Sequence, residues 1–124
     1  MRGKYRAQRT NGFSSKLESA VYDLLKLKQD VGAISDLQCQ RTVVLQEGPK
    51  DVRIAWKVDF SYWDKIKMET IYAEAKGIET NDYKLKLKLW KKNPPFTLEI
   101  YKGKYTKGQA VPYLVERILK NVEP

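Results

Sequence analysis

Regular patterning starts after residue 12. From Ser14 or Ser15 to about Lys28, Leu17, Val21, Leu24 and Leu25 recur at helical spacing behind a serine able to cap the first turn, which predicts an amphipathic helix. Gly32 ends that region, and the β-branched run Thr42, Val43 and Val44 within Leu37 to Leu45 predicts a first strand. Glu47 to Asp51, with Gly48 and Pro49 inside it, reads as a turn. Beyond it Ile54, Trp56, Val58, Phe60 and Tyr62 alternate with Arg53, Ala55, Lys57, Asp59 and Ser61, the pattern of a strand with one buried and one polar face. Residues 64–68 turn the chain. Glu69 to Lys76 predicts a third strand, in which Ile71, Ala73 and Ala75 oppose Thr70, Tyr72, Glu74 and Lys76, and Gly77 closes it.

Thr80 or Asn81 can cap a helix from about Asp82 to Lys92, with Tyr83, Leu87 and Trp90 on one side and Lys84, Lys88 and Lys91 on another. Pro94 and Pro95 stop it. Thr97 to Tyr101 predicts a fourth strand, Gly103 and Gly108 punctuate a basic loop over 102–107, and Pro112 suits the first turn of a last helix reaching about Asn121. The expected order is α-β-β-β-α-β-α, an α/β fold with a mixed central sheet flanked by helices and a C-terminal helix. A chain of 124 residues suits one core, here 13–124, preceded by a basic arm over 1–12 that Gly3 and Gly12 mark as flexible.

Composition narrows the chemistry. The chain contains no His and a single Cys39, so imidazole-based hydrolysis and Cys- or His-based metal sites are excluded. Cys39 itself reads as a small buried hydrophobe. What remains is carboxylate, Lys, Tyr or Ser chemistry, with a hard oxygen-seeking cation as the natural cofactor. No run is long and apolar enough to cross a membrane, and the opening MRGKYRAQRT has no apolar stretch, so a cytoplasmic protein is expected.

The net charge of +9 is unevenly placed. Arg2, Lys4, Arg6 and Arg9 stand in the arm without an acid. Lys84, Lys86, Lys88, Lys91 and Lys92 face one acid in 81–92, and Lys102, Lys104 and Lys107 follow in 102–107. Outside these stretches the chain is close to neutral, the distribution expected for a protein that binds a polyanion, DNA above all.

The acids carry the sharper signal. Asp59 lies on the polar face of its predicted strand, and Glu74 and Lys76, two apart on the next, point to one side of the sheet. A short linker favours antiparallel pairing, which brings Asp59 near Glu74. Carboxylates forced together raise each other's pKa until a divalent cation neutralises them, and Mg²⁺, which takes one or two carboxylates, several waters and phosphate oxygens, suits the pair, with Mn²⁺ as a substitute. Glu18, at the rim of the first helix's apolar stripe, offers a third carboxylate, and Lys76 would help position the attacking water and stabilise charge on a phosphate undergoing hydrolysis. Gln38 and Gln40 flank Cys39 on a strand edge expected to face the same site.

The series Glu18, Asp59 and Glu74-Ala75-Lys76 on this layout resembles the PD-(D/E)XK nucleases, the restriction-endonuclease-like superfamily, over roughly residues 13–101. Within it the chain is similar to small phage-encoded endonucleases and Holliday junction resolvases, through Phe13-Ser14-Ser15-Lys16-Leu17-Glu18, Asp59-Phe60, and Glu74 to Gly77 followed by Asp82, Lys84 and Lys86. Val58 stands where the superfamily's nominal Pro precedes the Asp. The resemblance implies an αβββαβ core in which Glu18, Asp59 and Glu74 bind the metal and Lys76 assists the water, with Lys84 and Lys88 on phosphates. Further nucleic-acid contacts are expected from Arg2, Lys4, Arg6, Arg9, Ser15, Lys16, Gln40 and Lys91.

The expected function is a Mg²⁺-dependent endodeoxyribonuclease selective for branched DNA such as a Holliday junction. It is expected to work as a homodimer, because two symmetric cuts need two sites. The arm and the 102–107 segment are candidates for clamping DNA arms. A nicking, restriction-like or repair endonuclease fits the same residues, and a non-catalytic nucleic-acid-binding protein is the alternative from another class.

Overall fold

The computed structural model describes residues 13, 15–49 and 51–121. Helix α1 runs Lys16–Asp30, with extended Ser15 accepting the Glu18 amide on its Oγ at 3.0 Å; a cap of this kind contributes about 1 kcal/mol. The helix ends in a Schellman arrangement. The amide of Gly32 donates to the Gln29 carbonyl and that of Ala33 to Lys28, and Gly32 takes the φ of 87° that this geometry requires. Strand β1 follows (Ile34–Gln46), then β2 (Ile54–Asp64), β3 (Glu69–Ala75), helix α2 (Asn81–Lys92), β4 (Thr97–Thr106) and β5 (Gln109–Ile118).

The five strands form one sheet in sequence order. Pairing is antiparallel except between β3 and β4, where α2 makes the crossover that a parallel pair needs. Leu17, Val21 and Leu25 of α1 bury against Ile34, Phe60, Tyr62, Ile71, Ala73 and Tyr101. Tyr83 and Trp90 of α2 bury against Val43, Trp56, Val58, Tyr72, Leu98 and Ile100. Tyr72 lies between Ile71 and Ala73 yet joins the second cluster, so the two clusters cover opposite faces of the sheet. Trp56 meets Tyr83 and Trp90 edge-on, each at 5.7 Å between ring centroids. Trp63, by contrast, is about one-third exposed, at 36%. Among the described residues no helix is long and apolar enough to cross a membrane.

Three expectations are corrected. The last element is a strand rather than a C-terminal helix, so the order is α-β-β-β-α-β-β. Pro112 starts no helix; it sits in an edge strand, where a residue without an amide proton is tolerated. A bulge at Val115 also sets the β-period aside, leaving Leu114 and Ile118 at helix-like spacing. The basic 102–107 segment is not a loop: β4 continues through Thr106, and Lys107-Gly108, with φ of 53° and 80°, makes the two-residue turn of a hairpin.

The third correction bears on the site. Trp56, Val58, Phe60 and Tyr62 have one parity, which predicts one buried face, but the first two lie under α2 and the last two under α1. β2 therefore changes face at Asp59. Across the ladder Gln40, between the partners Cys39–Phe60 and Arg41–Val58, has a φ of 56°, a left-handed conformation uncommon for a non-glycine residue.

Candidate functional site

The β2–β3 ladder runs from Asp64–Glu69 to Phe60–Ala73 and stops. β3 stays with β4 through Ala75–Tyr101, so β2 departs at the point where Asp59 would have paired with Glu74. Side chains close the gap. Glu74 Oε1 accepts the Asp59 amide at 3.1 Å, and Asp59 Oδ2 accepts the Ala75 amide at 2.9 Å. Two amides that would otherwise lose their ladder partners are thereby satisfied, and two carboxyl groups are fixed by backbone where the sheet opens.

The electrostatics follow from that enclosure. Burial first, then the charges of Glu74 and Glu18, push Asp59 up to about 8, against the lowering effects of the Ala75 amide and Lys76. Glu74, only 4% exposed, is also raised, chiefly by burial, although Lys76 and the Asp59 amide pull the other way. Lys76 is anchored by its amide to the Tyr101 carbonyl at 2.9 Å. Its ammonium lies 3.3 Å from Glu74 Oε2 and 4.7 Å above the centre of the Tyr83 ring.

Glu18 reaches the same region from the first turn of α1, is itself buried, and accepts Gln40 Nε2 at 3.3 Å. Its charge is felt by Asp59, Glu74 and Cys39. Among the described residues, however, no group of three or more Asp, Glu, His or Cys side chains is gathered so as to hold a metal ion by itself. The close pair is Asp59 and Glu74. That pair matches what magnesium asks of a protein, one or two carboxylates with the remaining positions left to water and phosphate. Burial, with the neighbouring carboxylates, disfavours negative charge on both groups, a cost that a nearby positive charge would offset.

The other sequence candidates fall variously. Arg2, Lys4, Arg6 and Arg9 lie outside the described residues. Ser15 serves as the α1 cap, and the Lys16 ammonium donates to the Gly108 carbonyl at 2.9 Å. Gln40 contacts Glu18. Gln38 turns to Asp36, at 2.9 Å. Lys84 and Lys88 are exposed on α2, whereas Lys91 is paired with Glu116 at 2.8 Å. Cys39 is exposed rather than buried, and partial desolvation, followed by Glu18 and Asp59, raises its thiol pKa. The Ala75 amide and the Tyr83 ring are parts of the site that side-chain patterning did not point to. Two surface hollows, of about 390 and 410 Å³, are lined by Val44, Leu89 and Pro95 and by Lys16, Asp23 and Ala110, away from the acidic pair.

Fold and site together define an α/β protein with a mixed five-stranded sheet and a carboxylate pair, Glu74 buried and Asp59 half-buried, where β2 and β3 part. The chain belongs to the DUF1064 family, a family of proteins of unknown function whose profile matches residues 2–108. No curated protein and no solved structure matches it.

Proposed function

We propose that the protein is a magnesium-dependent endodeoxyribonuclease of the PD-(D/E)XK type, selective for branched DNA such as a Holliday junction and acting as a homodimer. The observation that carries this reading is the interlocked Asp59–Glu74 pair with Lys76 beside it, at the place where β2 and β3 part. Asp59 and Glu74 would hold the cation, Mn²⁺ serving as a substitute, and Glu18 would add negative charge from the α1 side. Bound there, magnesium supplies charge neutralisation for an attacking water and a scissile phosphate.

The chain's own groups do the rest. Glu74 and the face of Tyr83 hold the Lys76 ammonium in place, so that its charge faces an incoming phosphodiester without reorganising. The backbone contacts of Asp59 and Glu74 keep both carboxyl groups from turning away when the site is empty of substrate. Lys84 and Lys88 offer phosphate contacts on the adjoining helix. Such contacts favour backbone shape over base sequence.

The test is incubation of the purified protein with Mg²⁺ and linear, nicked, flapped and four-way DNA. Cleavage of the four-way substrate that EDTA abolishes supports the reading. Cleavage of nicked or linear duplex alone assigns a nicking, restriction-like or repair activity on the same residues. A second reading, binding without cleavage, rests on the exposed Lys84 and Lys88 of α2, which can hold phosphates without any metal; retention of four-way DNA with no cutting in Mg²⁺ or Mn²⁺ selects it.

A further inference from the structure

The β4–β5 hairpin carries a second surface. Gly103 faces α1 closely, since a Cβ there would stand 2.8 Å from Leu17 Cδ1. Lys102 and Lys104, its neighbours, therefore project from the other side. Their register partners on β5 are Tyr113 and Val111, so all four side chains line one face of the hairpin. Tyr113 is 42% exposed and Val111 54%.

This face continues from the candidate site. Tyr101, whose carbonyl takes the Lys76 amide, immediately precedes Lys102. Lys102 Nζ lies 2.8 Å from Glu79 Oε2, and Glu79 also feels Lys84 of α2. Tyr113 is close enough to Lys102 to act on its charge. Lys84, Glu79, Lys102 and Tyr113 thus form a connected chain beside Lys76 and Tyr83.

We propose that this hairpin face binds an unpaired strand of nucleic acid leaving the cutting site, with Lys102 and Lys104 on neighbouring phosphates and Tyr113 stacked on a base. The strand's identity as the substrate rests on the nuclease reading. Cations two residues apart on a strand are about 6.7 Å apart, a spacing suited to successive phosphates rather than to one. An aromatic ring beside them offers a stacking platform, and only an unpaired base has a face free to use it. On this face Val111 and Tyr113 stand directly opposite Lys104 and Lys102, so that each exposed apolar side chain has a cation beside it, a pairing that suits a polyanion. Glu79 acts as a stand-in anion: it occupies Lys102 until phosphate displaces it.

The test uses the full chain in EDTA, with fluorescent oligothymidine and a duplex of equal length, binding being read by anisotropy from about 50 to about 200 mM salt. Tyr113→Ala should weaken oligothymidine binding at least about fivefold while leaving the duplex little changed, and Tyr113→Phe should bind as the parent does. Lys102→Ala with Lys104→Ala should flatten the oligothymidine salt slope by about 1.4. Glu79→Gln, which removes no volume and so keeps the test open should Tyr113→Ala fail to fold, should tighten binding. Equal losses on both DNAs for Tyr113→Ala, an unchanged slope for the lysine pair, or no gain with Glu79→Gln overturns the proposal. Hairpin effects intact without Mg²⁺-dependent cutting refute the nuclease reading alone; cutting intact without hairpin effects refutes this surface alone.

Discussion

Asp59 and Glu74 hold each other through exchanged backbone contacts: the Glu74 carboxyl takes the Asp59 amide at 3.1 Å, and the Asp59 carboxyl takes the amide of the residue after Glu74 at 2.9 Å. The arrangement replaces a rung of the β2–β3 ladder with two acidic side chains. It therefore fixes carboxyl groups with the rigidity of a sheet at the place where β2 and β3 part. Burial makes that placement costly, and a bound cation would relieve the cost.

Removing charge while keeping the acceptor oxygens separates chemistry from architecture. Asp59→Asn and Glu74→Gln should each lower Mg²⁺-dependent cleavage by roughly 10²–10³-fold or more. DNA retention in gel shift should stay unchanged or tighten, because less negative charge faces phosphate. A variant that still cuts at the parental rate places the metal elsewhere.

The metal-free chain should lose stability as pH rises, since Asp59 keeps its proton in the fold up to about 8 but releases it near the ordinary carboxylate value when unfolded. The folded state binds more protons across that interval, so this contribution is fully present below about pH 4 and is lost through about 8. Unfolding temperatures measured in EDTA should fall across the interval more steeply for the parent than for Asp59→Asn, and the gain on adding Mg²⁺ should grow with pH. Identical pH profiles for the two chains would contradict the assignment.

Much of this was legible in the sequence. Period-two alternation located β2, the acids fell on consecutive strands, and Ser15, Gly32 and Thr80 marked helix ends that the structure uses. Alternation could not show that β2 reverses its faces at Asp59, because a broken ladder leaves residue parity unchanged. Nor could it show β5, where a proline allowed on an edge and a bulge at Val115 imitate a helix. The backbone amides that clamp the acids are sequence-independent groups. Tyr83 stood on the helix face assigned to the core, with nothing to mark its contact with Lys76.

Of the two lysines expected on DNA from the middle and end of α2, Lys88 should matter more. Lys91 already has Glu116 at 2.8 Å, and phosphate must compete with that partner. Lys88→Ala should reduce the salt slope of duplex binding by about 0.9, the value for one phosphate contact, and Lys91→Ala by less. Equal slopes for both variants would show that Glu116 offers no competition.

Glu99 supports the hairpin from within. Only 3% exposed, it accepts Tyr62 at 2.6 Å and, through its second oxygen, Arg117 Nε at 3.0 Å and Nη2 at 2.8 Å, tying β2, β4 and β5 together. Arg117→Ala would leave a buried carboxylate without its counter-charge. Because the arginine is partly exposed and water can enter, the cost should be roughly 2–4 kcal/mol rather than the larger loss of a fully enclosed pair. Glu99→Gln combined with Arg117→Ala should recover part of that loss, since the neutral amide still accepts from Tyr62. Urea unfolding of the single and double variants checks this. A double variant no more stable than Arg117→Ala alone would mean that packing of the arginine stem, and not its charge, holds β5 to the sheet.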